Sequence, residues 1–296
     1  AALGFPEGEP QLRSKVDPGS EGRREGDRQR SLEAFGSNLS ERAAADSNLE
    51  PPVGRGAETE AAVSCLLRWG QARLPLIVGP SGTGKSNLLY AAARLLRTAR
   101  PGMAFVRVDM AELFSGTLFE AEREKLLAVL LREAGQKDNV VLAFEHLECA
   151  AQEVSHGLLL LAEALVKGLM VAGTVLPRHL TRFRGGPLAR RLQPIHLREP
   201  APREAADILE GLRGQIAAHH RLEISPTILC LCLKKAMALP GRLPAKAIAL
   251  LDQAASSAAL LKSSAVSPDD VISAARLFGA DGKTDQVLHQ DEAPEA

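Results

Sequence analysis

The octet Gly79-Pro80-Ser81-Gly82-Thr83-Gly84-Lys85-Ser86 stands between an apolar run, LPLIV, and a helical one, NLLYAAARLL. It fits G-x-x-x-x-G-K-[ST] after a strand and before a helix, the context in which that pattern has a physical meaning. Glycines let the backbone curl until several N–H groups converge on phosphate oxygens, and the helix N-terminus adds favourable partial charge at the same point. Lys85 then reaches the β- and γ-phosphates, and the Ser86 hydroxyl suits Mg²⁺. Residues Gly79 to Ser86, with Asn87 next to them, are the candidate ATP-binding residues.

Around this loop the apolar pattern alternates between short β-rich runs and longer helical ones, the sequence signature of a parallel sheet flanked by helices. The strand candidates are Leu74 to Val78, Ala104 to Val108, Val140 to Phe144, Leu169 to Gly173 and Pro194 to Leu197. A run as continuously apolar as VVLAF suits a strand covered on both faces. After Pro200 the strand signals stop, and four segments of helical periodicity follow. Ser225 with Pro226, and Ser267 with Pro268 and Asp270, are helix-start signals. The expected fold class is α/β: a P-loop domain with a five-stranded parallel sheet over residues 49–200, then a small all-helical domain over 201–281. Residues 1–48 and 282–296 are read as disordered charged tails, too poor in apolar side chains to offset the entropy of ordering them.

Charge names no partner. Lys+Arg 36 balances Asp+Glu 36, aromatic residues are 3% of the chain and no basic stripe with aromatic interleaving appears, so base-stacking readout of nucleic acid has little support. No apolar run approaches the roughly 20 residues that span a bilayer, and the N-terminal segment has no basic-then-apolar signal pattern. The expected location is cytoplasmic. Cys65, Cys149, Cys230 and Cys232 are read as reduced core thiols, the last two on different faces of one helix.

Beyond the P-loop, the chain resembles the first ATPase module of the Clp-type chaperones and unfoldases, an AAA+ family, over about Leu49 to Gly279. Pro52-Val53-Gly54-Arg55 resembles the family's entry segment, which implies that Val53 and Gly54 lie against adenine. Val108-Asp109-Met110, Leu113, Gly116 and EREKLLAVL resemble its second strand, pore loop and following helix. Phe119 falls where the family grips a substrate polypeptide, flanked here by Leu118 and Glu120 in place of basic residues; ordinary packing is the alternative role. Arg190-Arg191 resembles paired arginine fingers that enter a neighbouring subunit's site, which implies a homo- or hetero-oligomeric ring, a hexamer by resemblance. ILEGLR, His219-His220 and RLPAKAIALLDQAA resemble the lid, with Lys246 approaching the nucleotide; the two histidines are read as structural.

The resemblance breaks at the end of the third strand. The family has Asp-Glu there, the first for magnesium and the second to polarise the attacking water, whereas this chain has Glu145-His146. Glu145 could still serve magnesium with a longer side chain, in a geometry where about 1 Å matters. His146 could act as a base, yet beside a triphosphate an imidazole with an ordinary pKa near 6.5 tends to hold its proton. A second register puts Glu145 at the water and Phe144 at the metal; one acidic group is missing either way. In Ala172-Gly173-Thr174-Val175 the γ-phosphate sensor is either Thr174 or replaced by Val175. The sequence therefore points to an AAA+ module that binds ATP with Mg²⁺ and hydrolyses it weakly or not at all. An active protein-remodelling ATPase is the alternative, and a nucleic-acid-associated AAA+ switch has less support.

Overall fold

A computed structural model describes residues 35–41, 54–68 and 73–280. Its first domain is a six-stranded sheet in the order β1-β3-β4-β5-β2-β6. The strands are β1 (Gly36–Asn38), β2 (Leu74–Val78), β3 (Ala104–Asp109), β4 (Val140–Glu145), β5 (Met170–Val175) and β6 (Leu192–His196). Strands β2 to β6 are mutually parallel, as expected, while β1 adds an antiparallel edge beside β3.

That sixth strand corrects the sequence reading twice, in strand number and because it falls inside the stretch assigned to a disordered tail. Its sequence, GSN, carries no apolar alternation, so nothing in the pattern marks it. Backbone pairing and a few anchors hold it instead. Asn38 faces Val106, the Ser40 hydroxyl donates to the Met103 carbonyl and accepts from the Phe105 N–H, and Leu39 is buried in the core. The remainder of both tails lies outside the described residues.

Alternating residues of each strand feed two cores. Leu76, Val108, Leu142, Phe144 and Val171 face one side, where α4 (Glu120–Gly135) and α6 (Gly157–Val166) cover them through Leu127, Leu130, Leu161 and Leu165. Ile77, Phe105, Val141, Ala143 and Ile195 face the other, under α1 (Gly56–Leu66) and α2 (Lys85–Ala99). This is why β2 and β4 are buried along their whole length and read as unbroken apolar runs. Three short helices, α3 (Met110–Phe114), α5 (Glu148–Gln152) and α7 (Leu180–Arg184), sit on the loops between these elements.

The second domain packs α8 (Pro202–His220), α9 (Pro226–Ala236), α10 (Ala245–Leu260) and α11 (Pro268–Ala280) around their own core of Leu209, Ile228, Leu250, Leu251 and Val271. The expected helix starts are realised. Ser225 is the N-cap of α9 with Pro226 inside its first turn, and the Ser267 hydroxyl and N–H both donate to Asp270 while the Asp270 N–H returns to Ser267. Among the described residues no helix is long and apolar enough to cross a membrane.

Candidate nucleotide site

Open parallel sheets bind ligands in the crevice beyond their carboxyl ends. In this chain that crevice is bounded by the ends of β2, β4 and β5 and roofed by the helical domain, leaving a cleft of about 510 Å³. The loop from Gly79 leaves β2 with its N–H bonded to the Val175 carbonyl of β5. Gly82 (φ +79°) and Gly84 (φ +95°) take the left-handed conformation that side chains resist, and Gly84 caps α2. The loop holds itself together: Thr83 Oγ1 donates to the Pro80 carbonyl at 2.9 Å, and Lys85 Nζ donates to the carbonyls of Gly79 at 2.8 Å and Pro80 at 2.9 Å. Ser81 to Leu88 line the cleft, so the expected residues Ser81, Gly82, Thr83, Gly84, Lys85, Ser86 and Asn87 come together, with Gly79 and Pro80 forming the base of the loop.

The second domain meets this loop directly. The Ala245 N–H donates to the Gly82 carbonyl at 3.3 Å, and Pro244, Ala245 and Ile248 of the α10 segment line the cleft with Ile208, Gly211, Leu212 and Gln215 of α8. The Glu199 carboxylate on the interdomain link sets this approach by accepting from the Leu243 N–H and Arg242. Lys246, expected near the nucleotide, turns away and donates to the Leu239 carbonyl. On a helix, adjacent residues face different directions, so the contact falls to Ala245.

At the end of β4 the register explains an arrangement that sequence reasoning missed. Arg107 pairs with Ala143 and Asp109 with Glu145, which puts all four side chains on one face of the sheet. Arg107 reaches not its direct partner Ala143, which has no polar side chain, but Glu145 two residues further along β4. Arg107 Nε donates to Glu145 Oε2 at 2.7 Å, Nη2 donates to the same oxygen, and Asp109 Oδ2 lies 3.5 Å from Nη2. The bond to Glu145 raises the Arg107 pKa above its ordinary value. Glu145 is 4% exposed, and its Oε1 is buried without a hydrogen-bond partner among the described residues.

Magnesium in nucleotide sites is held by one or two carboxylates together with substrate phosphates. Glu145 is the carboxylate among the described cleft-lining residues, and Arg107 already engages it; no cluster of three metal-ligating side chains occurs among the described residues. Ser86 lines the same cleft, so Ser86 and Glu145 are the residues that would hold magnesium, Glu145 through Oε1, the oxygen that Arg107 leaves without a partner among the described residues.

His146 follows with φ +54°, uncommon for a residue with a side chain. The Thr174 hydroxyl accepts its N–H at 3.3 Å, the ring is about half exposed at the cleft, and Nδ1 lies 3.8 Å from Glu148 Oε1. Interaction with Glu148 raises the His146 pKa above 6.5 against the opposing effect of burial, with Asp109 and Glu145 adding in the same direction. Of the two sensor alternatives, Thr174 lines the cleft, while Val175 is buried in the strand. Phe144 is fully buried core, which disfavours the register that puts it at the metal.

The remaining expected residues divide. Val53 lies outside the described residues; Gly54 is exposed at φ +77°, and its neighbour Arg55 lines the cleft and donates to the Arg198 carbonyl at 2.6 Å. Phe119 is 67% exposed and Leu118 83%, which excludes the packing role for Phe119. Arg190 is exposed and Arg191 half-buried in the turn before β6, outside the cleft of their own chain. His220 bonds Asp252 at 2.8 Å and stacks edge-on with His219, in keeping with a structural pair. Cys65 and Cys232 are buried, Cys149 half-buried and Cys230 exposed, correcting the expectation of four core thiols. Burial pushes Cys149 and Cys232 up to about 12, where neither is a nucleophile.

A phosphate-binding loop at the sheet switch point, closed by a helical lid that touches it, defines a P-loop ATPase-type module. Comparison with known proteins gives the family. Residues 75–170 match the ATPase family associated with various cellular activities (AAA), and residues 201–293 match an AAA lid domain. A ClpA homolog from Cyanidium caldarium is 31% identical over 245 residues, covering 78% of this chain and 28% of that protein. The chaperone ClpB of Aquifex aeolicus is 31% identical over 239 residues, covering 76% and 24%. The chain thus spans about a quarter of the length of these relatives. A Saccharomyces cerevisiae Hsp104–ADP complex has the same fold, with TM-score 0.71 at 23% identity over 84% of this chain and 45% of that one. The chain contains a Clp-type AAA+ module, an AAA domain followed by its lid.

Proposed function

We propose that the module binds ATP between the Gly79–Ser86 loop and the lid, assembles into a ring, and hydrolyses ATP slowly or not at all. Binding is supported by the loop geometry and by the Ala245–Gly82 contact, which couples lid position to loop occupancy. Slow hydrolysis is supported by one observation above the others: the strand end that should present two free carboxylates presents Glu145 bound to Arg107 and a histidine. Assembly is supported by Arg190 and Arg191 lying outside the cleft of their own chain, and by the ring-forming role that the Clp resemblance implies. Exposed Leu118 and Phe119 fit a surface that grips polypeptide, which makes protein the proposed substrate class.

The test is solution mass by light scattering with and without ATP, alongside phosphate release, for the natural chain and Lys85→Ala. An ATP-dependent mass increase with little phosphate release, both absent in Lys85→Ala, is expected. Vigorous release would overturn the slow-turnover reading, and an unchanged mass would overturn assembly. A second reading, active hydrolysis with His146 as base, is favoured by the proximity of Glu148, which could orient the ring as carboxylates orient catalytic histidines.

A further inference from the structure

We infer that Arg123 is a positioning residue: it holds the loop carrying Leu118 and Phe119 in the shape that offers both side chains to a polypeptide. The inference rests on the reading that this loop grips protein substrate.

The segment from Ser115 to Phe119 joins α3 to α4, and Gly116 turns the chain there at φ +80°. Leu118 and Phe119 are too exposed to be fixed by packing. A loop with two such side chains loses backbone and rotamer freedom when it closes on a ligand, and that loss subtracts from affinity unless the loop is ordered beforehand. Hydrogen bonds order it here. Helical side chains lean toward the N-terminus, so Arg123, near the start of α4, reaches back to the loop. Its Nε donates to Thr117 Oγ1 at 3.1 Å and its Nη2 to the Thr117 carbonyl at 3.1 Å, while Nη1 lies 3.4 Å from Oε2 of Glu153, the residue after α5. The Thr117 hydroxyl donates in turn to the Phe114 carbonyl at 2.6 Å. On the other flank the Glu122 and Arg123 N–H groups bond the Phe119 carbonyl, and Glu120 Oε1 accepts from the Ser155 N–H at 2.6 Å. The apolar pair is thus held from both sides, against the segment that links α5 to α6. A planar guanidinium can serve these three acceptors at once because its donors are fixed in a fork.

Magnitudes separate this role from a general structural one. The Arg123 and Glu153 side chains are 24% and 36% exposed, and an ion pair so open to water adds little to folding stability. The main effect left to it is the geometry it imposes on the loop.

The experiment measures affinity for a fluorescently labelled unfolded polypeptide by anisotropy, with ATP present, for the full chain and for Arg123→Met, Glu153→Gln and the double variant. Melting temperature and ATP affinity are measured beside it. Arg123→Met should bind polypeptide about tenfold more weakly, Glu153→Gln about threefold because the Thr117 bonds remain, and the double variant no more weakly than Arg123→Met. Melting temperatures within about 3 °C of the natural chain and unchanged ATP affinities are expected. Full polypeptide affinity in folded Arg123→Met overturns the inference, as does an equal fall in ATP affinity, which would mark a general loss of structure. Should Arg123→Met not fold, unchanged polypeptide affinity in Glu153→Gln overturns it in the same way. A natural chain that binds no polypeptide overturns the reading beneath it.

Discussion

The two members of the Arg107–Glu145 pair differ in burial, so removing them one at a time should cost different amounts. The Arg107 side chain is 31% exposed and that of Glu145 5%. Arg107→Leu leaves a carboxylate enclosed by protein with no partner, a situation that costs about 3–5 kcal/mol; the partial exposure of the arginine places the expected loss near the lower bound, about 3 kcal/mol. Glu145→Gln leaves a guanidinium that water reaches and that Asp109 still approaches, so its loss should be about 1 kcal/mol. The double variant carries neither charge and should fall close to Glu145→Gln alone, giving a coupling of about 3 kcal/mol. For a domain of this size the Arg107→Leu loss corresponds to a melting point lower by roughly 6–12 °C. Urea unfolding followed by circular dichroism measures all three. Losses that are equal for the two single variants, or additive in the double, would refute the view that Glu145 depends on Arg107 inside a buried pair.

Three further outcomes are expected. Gly82→Ala combines a left-handed φ of +79° with a Cβ 3.1 Å from that of Ala245, so a strain of about 1–2 kcal/mol should reduce ATP affinity about tenfold or more in a fluorescence titration; an unchanged affinity would contradict the loop–lid contact. Because Glu148 raises the His146 pKa above its ordinary value, any hydrolysis that His146 supports as a base should rise with pH through a midpoint above 6.5; a rate that falls as pH rises through this range would rule His146 out. Phe119→Asp touches an exposed side chain and should leave stability within about 0.5 kcal/mol while abolishing binding of a fluorescently labelled unfolded polypeptide; retained binding would remove Phe119 from the substrate surface.

The parts of the fold that sequence patterns reveal are those written in local chemistry. The five parallel strands, the glycine loop and the serine–proline helix starts each depend on residues a few positions apart, and each falls within a residue or two of its expected place. Strand β1 does not, because a GSN segment forms an edge by backbone pairing, its neighbour Leu39 is a single buried apolar residue, and its anchor Ser40 acts across more than sixty residues. The site shows the same division. Ser81 to Asn87 could be named from the octet, whereas Arg107 could not be linked to Glu145 without the register that sets Ala143 between them. A signal was available: an arginine between Val106 and Val108 in an apolar run, two residues before Asp109, calls for a carboxylate partner. Lys246 is the opposite case, since a resemblance fixes a residue's place in a helix but not the direction of its side chain, which here donates to the Leu239 carbonyl.

The most direct measurement is the identity of the nucleotide that the protein retains. The chain is loaded with radiolabelled ATP, freed of excess by rapid gel filtration, incubated for many minutes at 25 °C, and its bound nucleotide is separated by thin-layer chromatography. Intact ATP in near-stoichiometric amount is the expected result, from a loop that holds the triphosphate beside a strand end whose carboxylate is occupied by Arg107. Retained nucleotide that has become ADP, with phosphate released at the rate of an ordinary ATPase, would contradict it.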